Sequence, residues 1–251
     1  MKVYFIGAGP GDPELVTLKG ARILARADVV IYAGSLVNPA VLELTRAGAI
    51  YDSSRMTLEE TLDIMERSVK AGKMVARLHP GDPSLYGAVA EQMEGLEQKG
   101  IGYEIVPGVS SFLAAAAALG REFTVPEVSQ TVILTRTAGR TPVPAGERLA
   151  GLAVHRASMC IFLSAHDIEG VVAELGTAYD QDTPAAVVYK VSWPGEERVL
   201  TGCIGDIAEK VQAAGITRTA LILVGDFLAA RGKRSRLYDG EFGHSYRSGH
   251  R

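Results

Sequence analysis

Three turns rich in glycine and proline constrain this chain more than any other feature. Each follows a short run of apolar and β-branched residues. Gly7-Ala8-Gly9-Pro10-Gly11-Asp12-Pro13 follows Lys2–Ile6. Pro80-Gly81-Asp82-Pro83-Ser84-Leu85-Tyr86-Gly87 follows Met74–Leu78, and Val106-Pro107-Gly108-Val109-Ser110-Ser111 closes the run Tyr103–Val106. Helical patterns lie between and after them. One spans Leu15–Arg26 with Thr17 as its cap. A second opens on the capping box Thr57-Leu58-Glu59-Glu60 and stops near Gly72. A third runs from about Tyr86 to Lys99, and an alanine-rich one covers Ser110–Leu119. Asp28–Tyr32 holds Val29-Val30-Ile31, which reads as a strand buried on both faces. Strand–helix alternation of this kind predicts a parallel sheet with helices on its faces. All three turns then fall on the carboxyl edge of the sheet, where such sheets bind ligands. Glycine there lets a ligand approach the backbone closely.

The second half keeps the α/β character but changes its rhythm. Arg121–Gln130, with Pro126 and several polar residues, reads as a linker. Strands are expected at Thr131–Thr135, Ser158–Leu163, Ala185–Val191, Arg198–Thr201 and Ala220–Val224, with helices near Asp167–Leu175 and Asp206–Ala214. Ser192-Trp193-Pro194-Gly195 is too short to join its two strands except as an antiparallel hairpin. The expected architecture is therefore α/β with two α/β domains. Residues 1–120 carry a mainly parallel sheet and residues 121–230 a mixed one. A length of 251 residues suits two ordinary domains. Residues 231–251 form a basic tail, with six Lys/Arg against Asp239 and Glu241 in a chain whose total is −3. Such an arm reads either as a solvated tail or as a contact for an anionic small molecule or a partner subunit.

Several functions are excluded or disfavoured. A net charge of −3 and 6% aromatic residues give no basic or stacking surface for nucleic acid. No run approaches the roughly 20 apolar residues that span a bilayer, and no signal segment precedes the first glycine turn. Cys160 and Cys203 are far apart and form no Cys-x-x-Cys pair, which fits a reducing, cytoplasmic setting. The histidines (His79, His155, His166, His244, His250) show no metal spacing, so no metal is expected. Neither a nucleophile elbow nor a Walker loop occurs. The first turn is not a dinucleotide fingerprint. The position of its third glycine is Asp12, Pro10 removes a donor, and the second strand ends Tyr32-Ala33-Gly34 without an acid for a ribose.

In this order, the loops Gly7–Pro13, Gly81–Gly87 and Pro107–Ser111 resemble the tetrapyrrole methyltransferase family. Phe162-Leu163-Ser164, Val191-Ser192-Trp193-Pro194 and Thr219-Ala220-Leu221-Ile222-Leu223-Val224-Gly225 extend the likeness over almost the whole chain. Within the family, further segments are similar to the branch that methylates C(11) of precorrin-4. They are Tyr32-Ala33-Gly34-Ser35-Leu36-Val37, His79-Pro80-Gly81-Asp82-Pro83, Pro126–Arg136, Gly139–Pro144 and Ser235-Arg236-Leu237-Tyr238-Asp239. The uroporphyrinogen branch has Tyr-Asp-x-Leu-Val after its second strand and a double glycine before the aspartate of the second loop. This chain has neither.

The resemblance implies an S-adenosylmethionine-dependent C-methyltransferase acting on a polycarboxylate tetrapyrrole. The acceptor is precorrin-4, its cobalt form or another precorrin carbon, and S-adenosylhomocysteine is the product. It implies a homodimer, and a donor bound folded in a cleft between the two domains. Donor contacts carried onto matching positions are Pro10, Gly81, Asp82, Leu85, Ser110, Ser111, Leu163, Val191 and Ala220. Leu163 and Val191 differ in residue type from related enzymes, which points to backbone contacts there. Asp12, Tyr32, Arg77, Arg136 and Arg140 are candidates for the macrocycle, the arginines because their forks suit carboxylates. No catalytic nucleophile is assigned, because holding donor and electron-rich carbon in line supplies most of what the reaction needs.

Overall fold

The first sheet and its helices comprise β1 (Val3–Gly7), α1 (Leu18–Leu24), β2 (Val29–Tyr32), β3 (Ala49–Asp52), α2 (Leu58–Lys70), β4 (Val75–His79), α3 (Ala90–Gln98), β5 (Tyr103–Val106) and α4 (Ser111–Leu119). The computed structural model describes residues 1–139, 141–230 and 235–248. The strands run in the order β3-β2-β4-β1-β5, and every pairing is parallel. Alternate side chains on each strand serve opposite faces. Ile6, Val30, Leu78 and Val106 pack with Leu24 of α1 on one face. Phe5, Ile31 and Val75 pack with Met65 of α2 and Leu96 of α3 on the other. Thr17 caps α1 through Gly20 N, and Thr57 and Glu60 form the reciprocal capping box of α2.

This topology sets the site. The chain leaves β1 by way of α1 on one face and leaves β4 by way of α3 on the other. β1 and β4 are adjacent strands, so the sheet's switch point, the place where such sheets bind ligands, falls at their carboxyl ends.

Two features of this half differ from expectation. β3 lies where the sequence pattern shows no strand: it is an edge strand of four residues with Ile50, Tyr51 and Asp52 exposed, so it carries no burial pattern to read. The third helix starts at Ala90 rather than near Tyr86. Tyr86 (φ 53°) and Ala88 (φ 45°) adopt left-handed backbone that no helix contains.

The second sheet is built from β6 (Val132–Arg136), α5 (Leu149–Ala153), β7 (Ser158–Phe162), α6 (Ile168–Leu175), β8 (Pro184–Tyr189), β9 (Arg198–Cys203), α7 (Ile204–Ala213) and β10 (Ala220–Val224). Its order is β6-β7-β10-β8-β9. β6 and β7 are parallel, and the other three pairings are antiparallel, including the β8–β9 hairpin. The sheet is therefore mixed, as the short hairpin connection required. Met159, Ile161, Val187, Ile204, Ile222 and Val224 share one core. Cys160 is fully buried, and burial raises its thiol pKa to about 12.

The chain divides into two compact units, Met1–Ala115 with Lys190–Glu197, and Ala116–Tyr189 with Arg198–Arg251. The first division falls inside α4. The segment read as a linker is packed within the second unit. Phe123 and Val125 are buried, Phe123 lies 5.0 Å from Phe227, and Ser158 Oγ donates to Phe123 O at 2.7 Å.

Candidate functional site

The three glycine turns meet backbone to backbone at the carboxyl ends of β4, β1 and β5, three adjacent strands. Gly9 and Gly81 form an antiparallel bridge, N to O at 3.2 Å one way and 2.8 Å the other. A Cβ on Gly7 would lie 2.5 Å from Gly108 Cα and 2.6 Å from Gly81 O. A Cβ on Gly108 would lie 2.1 Å from Gly81 O and 2.7 Å from Gly7 Cα. Only glycine permits so close an approach. Each turn thus has a glycine for contact with the other turns.

Asp82 ties the second turn to the third. Its Oδ2 accepts from Gly108 N at 2.8 Å. Its Oδ1 accepts from Ser84 N at 2.8 Å and also from Ser84 Oγ. Burial opposes ionisation of this carboxyl, but the bonds from Ser84 and Gly108 together outweigh it and hold its pKa below the ordinary range. Oδ1 has both lone pairs engaged. Among the described residues, Oδ2 keeps one acceptor position open. Pro10 is buried beside the Gly9–Gly81 bridge, and Leu85 N closes the turn on Asp82 O at 3.2 Å. Ser110 is buried next to Gly81 and its carbonyl starts α4, of which Ser111 is the first residue.

The hairpin tip Lys190–Glu197, which belongs to the first unit, holds the first turn. Asp12 N donates to Ser192 Oγ at 3.0 Å. Trp193 lies so close over Gly11 that a Cβ there would be 2.1 Å from its Cδ1. Asn38, buried, donates from Nδ2 to Gly11 O at 2.8 Å. Ser192, Trp193 and Asn38 are groups that the sequence did not mark as functional. Val191 is buried between two left-handed residues, Lys190 (φ 45°) and Ser192 (φ 62°).

In the second unit, β10 runs antiparallel to both β7 and β8, with Ile222 opposite Ile161 and Ala220 opposite Tyr189. Leu163 just past β7, Ala220 at the start of β10 and the end of β8 are therefore on one edge of that sheet. Leu163 is 54% exposed at φ 55°, and Thr219 before Ala220 has φ 55°. Ser164 is the pin beneath. Its buried hydroxyl accepts from Thr137 N and Thr137 Oγ1, both at 2.9 Å, and donates to Phe162 O at 2.7 Å. Left-handed non-glycine backbone costs energy and collects where function holds it. Here such residues flank or coincide with Leu85, Leu163, Val191 and Ala220. That signal is invisible in sequence.

The macrocycle candidates scatter. Asp12 Oδ1 caps the turn that follows by accepting from Glu14 N at 2.8 Å. Tyr32 is half-buried at the end of β2. The acid missing from its loop comes instead from β3: Gly34 N donates to Asp52 Oδ1 at 3.0 Å. Arg77 is buried on the α2/α3 face, and loss of solvent lowers its pKa to about 10. Its Nε donates to Gln92 Oε1 at 3.0 Å. His79 on the same face is buried with Nε2 unpartnered among the described residues, and burial lowers its pKa to about 3. Arg136 donates from its guanidinium to the carbonyls of Thr137, Thr141 and Pro142, bracing its own loop. Arg140 lies outside the described residues. A cavity of about 240 Å³ in the second unit, lined by His166, Glu169 and Gln212 among others, contains none of these candidates. Among the described residues, no three His, Cys, Asp or Glu side chains gather as a metal-holding group.

Comparison with known proteins places this arrangement. The family model for Tetrapyrrole (Corrin/Porphyrin) Methylases matches residues 2–208. A cobalt-precorrin-4 C(11)-methyltransferase of Methanocaldococcus jannaschii is 53% identical, over 100% of this chain and 97% of its own. A precorrin-4 C(11)-methyltransferase of Pseudomonas aeruginosa is 51% identical, over 99% and 100%. The solved structure of a cobalt precorrin-4 methyltransferase, CbiF, superposes with a TM-score of 0.87 at 45% identity, covering 90% of this chain and 95% of that one. A uroporphyrin-III C-methyltransferase from Thermus thermophilus, solved with S-adenosylhomocysteine, gives 0.76 at 28% identity, covering 91% and 99%. With its glycine-on-glycine edge, its mixed second sheet and these full-length likenesses, the chain belongs to the tetrapyrrole methylases.

Proposed function

We infer that this chain transfers a methyl group from S-adenosylmethionine to C(11) of precorrin-4, or of its cobalt complex, in corrin-ring assembly. The observation that carries this is identity of 51–53% along essentially the whole chain to enzymes named for that reaction. Both the cobalt and the metal-free form of the acceptor occur among those names.

The residues present fit the donor. Gly7 and Gly108 let the three turns close on one another and on Gly81, which fixes the strand-end edge that carries the donor contacts. Asp82, ionised, offers its remaining Oδ2 position to a hydroxyl or amine. Pro10, Leu85, Ser110 and Ser111 belong to the same three turns. Leu163, Val191 and Ala220 are the expected further contacts, with left-handed backbone at or beside each.

S-adenosylmethionine supplies an electrophilic methyl on a sulfonium, and the macrocycle carbon supplies the electron pair. The chain therefore contributes placement rather than a nucleophile. The first turn, fixed by Asn38, Ser192 and Trp193, and the second, fixed to the third by Asp82, hold the donor side rigid. Asp12, Tyr32, Arg77, Arg136 and Arg140 remain the candidates for the macrocycle, Arg77 and Arg136 only if they exchange their present partners. A homodimer and a cytoplasmic setting complete this inference; the free thiols of Cys160 and Cys203 are in keeping with the latter.

The chain has one tryptophan, Trp193, and it rests on the first turn. Titration with S-adenosylhomocysteine should change its fluorescence and give heat in calorimetry at micromolar to low-millimolar ligand. Absence of both signals would remove the donor, and with it the proposed reaction.

A further inference from the structure

Arg77, Gln92 and His79 are buried polar groups that the donor site does not absorb. Arg77 is 7% exposed, Gln92 5% and His79 2%. Among the described residues no ion pair includes Arg77. A buried cation without an acid adds little to stability, and an apolar side chain of its size often serves a fold as well. Its partners show what it holds. Nε donates to Gln92 Oε1 at 3.0 Å and Nη1 to Leu78 O at 3.4 Å. A guanidinium has no acceptor, so the Gln92 amide must turn its oxygen toward Arg77. Its Nε2 then faces the other way and donates to Ala88 O at 2.9 Å. His79, two residues further along β4 and on the same face, is hydrogen bonded to the backbone of Gly87.

Both anchors fall on one strained stretch of loop. Tyr86 (φ 53°) and Ala88 (φ 45°) are left-handed. Gly87 between them packs so tightly that a Cβ would lie 2.3 Å from Pro83 O. Left-handed non-glycine backbone persists only where its surroundings fix it. Helix α3, which begins two residues after Ala88, has no side-chain cap of its own. On the other side of the stretch lie Leu85 and Asp82, joined by the bond from Leu85 N to Asp82 O. The loop thus carries position from β4 and α3 to two of the expected donor contacts.

We propose that Arg77, acting through Gln92, is a positioning residue for the second turn: the pair fixes Ala88, His79 fixes Gly87, and together they hold Asp82 and Leu85 in place for the donor. This rests on the donor site proposed above, and it moves Arg77 from the macrocycle to the donor side.

Two full-length variants separate positioning from a purely structural role. Gln92→Glu keeps an acceptor for Arg77, but a carboxylate ionised beside that cation has no hydrogen to give Ala88 O. Arg77→Met combined with Gln92→Leu removes both buried partners together, so neither is left unpaired. Ala88 is exposed, so water can take up its carbonyl and both variants should fold. Loss of one hydrogen-bonded anchor corresponds to about a ten-fold rise in Kd for S-adenosylhomocysteine. KM for S-adenosylmethionine should rise with it, and KM for precorrin-4 should not change. Leu96→Ala is the control. It empties a fully buried position of α3, so it should lower Tm more than either variant and leave S-adenosylhomocysteine affinity unchanged. Unchanged affinity in both variants would overturn the proposal, as would failure of both to fold. A rise in KM for precorrin-4 alone would also overturn it and return Arg77 to the macrocycle. So would a loss of affinity in Leu96→Ala in step with its Tm, since stability alone would then account for the effect. If the unaltered chain fails to bind S-adenosylhomocysteine, the methyltransferase reading fails instead.

Discussion

Gly108→Ala tests the packing on which the donor site depends. The added methyl would sit 2.1 Å from Gly81 O, 2.7 Å from Gly7 Cα and 2.9 Å from Gly7 C. Ordinary contact needs well over 3 Å, and each opposing atom is backbone, so no rotamer change relieves the overlap. Overpacking of side chains costs about 1–3 kcal/mol. Backbone on three adjacent strands yields less readily, so about 3 kcal/mol is expected, a large part of the ~5–15 kcal/mol that holds a domain folded. In a protein of this size that lowers Tm by roughly 6–12 °C. Relief of the clash must also separate the Gly7 and Gly81 turns, so affinity for S-adenosylhomocysteine should fall at least about ten-fold, or about 1.4 kcal/mol. Gly151→Ala is the control. It lies in α5 with nothing within 4 Å of the added methyl, and should stabilise by about 0.5–1 kcal/mol. Thermal unfolding and calorimetry read both variants. A Gly108→Ala protein with unchanged Tm and unchanged affinity would refute the backbone-to-backbone meeting of the three turns.

Asp82→Asn keeps the shape of the bond to Ser84 but loses the charge and reverses a donor toward Gly108 N. Affinity for S-adenosylhomocysteine should drop while the fold persists. Because the folded pKa of Asp82 is depressed, its contribution to stability is complete above the ordinary carboxylate pKa and is lost as pH falls through the folded value; denaturation by urea at acid pH should show Asp82→Asn losing this dependence. His79 behaves as a buried base with its pKa lowered to about 3, so the unfolded chain takes up a proton below about pH 6.5 that the folded chain refuses. Stability should therefore decline as pH falls from about 6.5 toward 3, and His79→Phe should flatten that slope; an identical slope in the variant would show that His79 ionises freely. In the native protein a thiol reagent should modify Cys203 and leave Cys160 intact until unfolding, since Cys160 is wholly buried. Equal rates at the two thiols would contradict that burial.

What the sequence made legible follows from where local chemistry decides structure. The caps at Thr17 and Thr57 and the antiparallel hairpin around Trp193 are short-range features, and each is present. So is the parallel sheet, because strand–helix alternation leaves few other topologies. Strand β3 escapes such a reading because an exposed four-residue edge has no apolar rhythm. With it goes Asp52, which approaches Gly34 across 18 residues. The late start of α3 escapes because strain at Tyr86 and Ala88 is imposed by the loop around them, against the preference of either residue. The same holds for Leu163 and Val191, whose unusual backbone surroundings come with the pins at Ser164 and Ser192. Arg77 and Arg136 can be picked out as cations, but their partners, Gln92 and the carbonyls of the 137–142 loop, depend on the folded arrangement.

Methyl transfer with labelled donor tests the proposed reaction most directly. Incubation with ¹³C-methyl S-adenosylmethionine and precorrin-4 should yield a product heavier by a single labelled methyl, which carbon NMR places at C(11). The same experiment with cobalt-precorrin-4 separates the two acceptors. No transfer to either, or label at another ring carbon, would contradict the assignment.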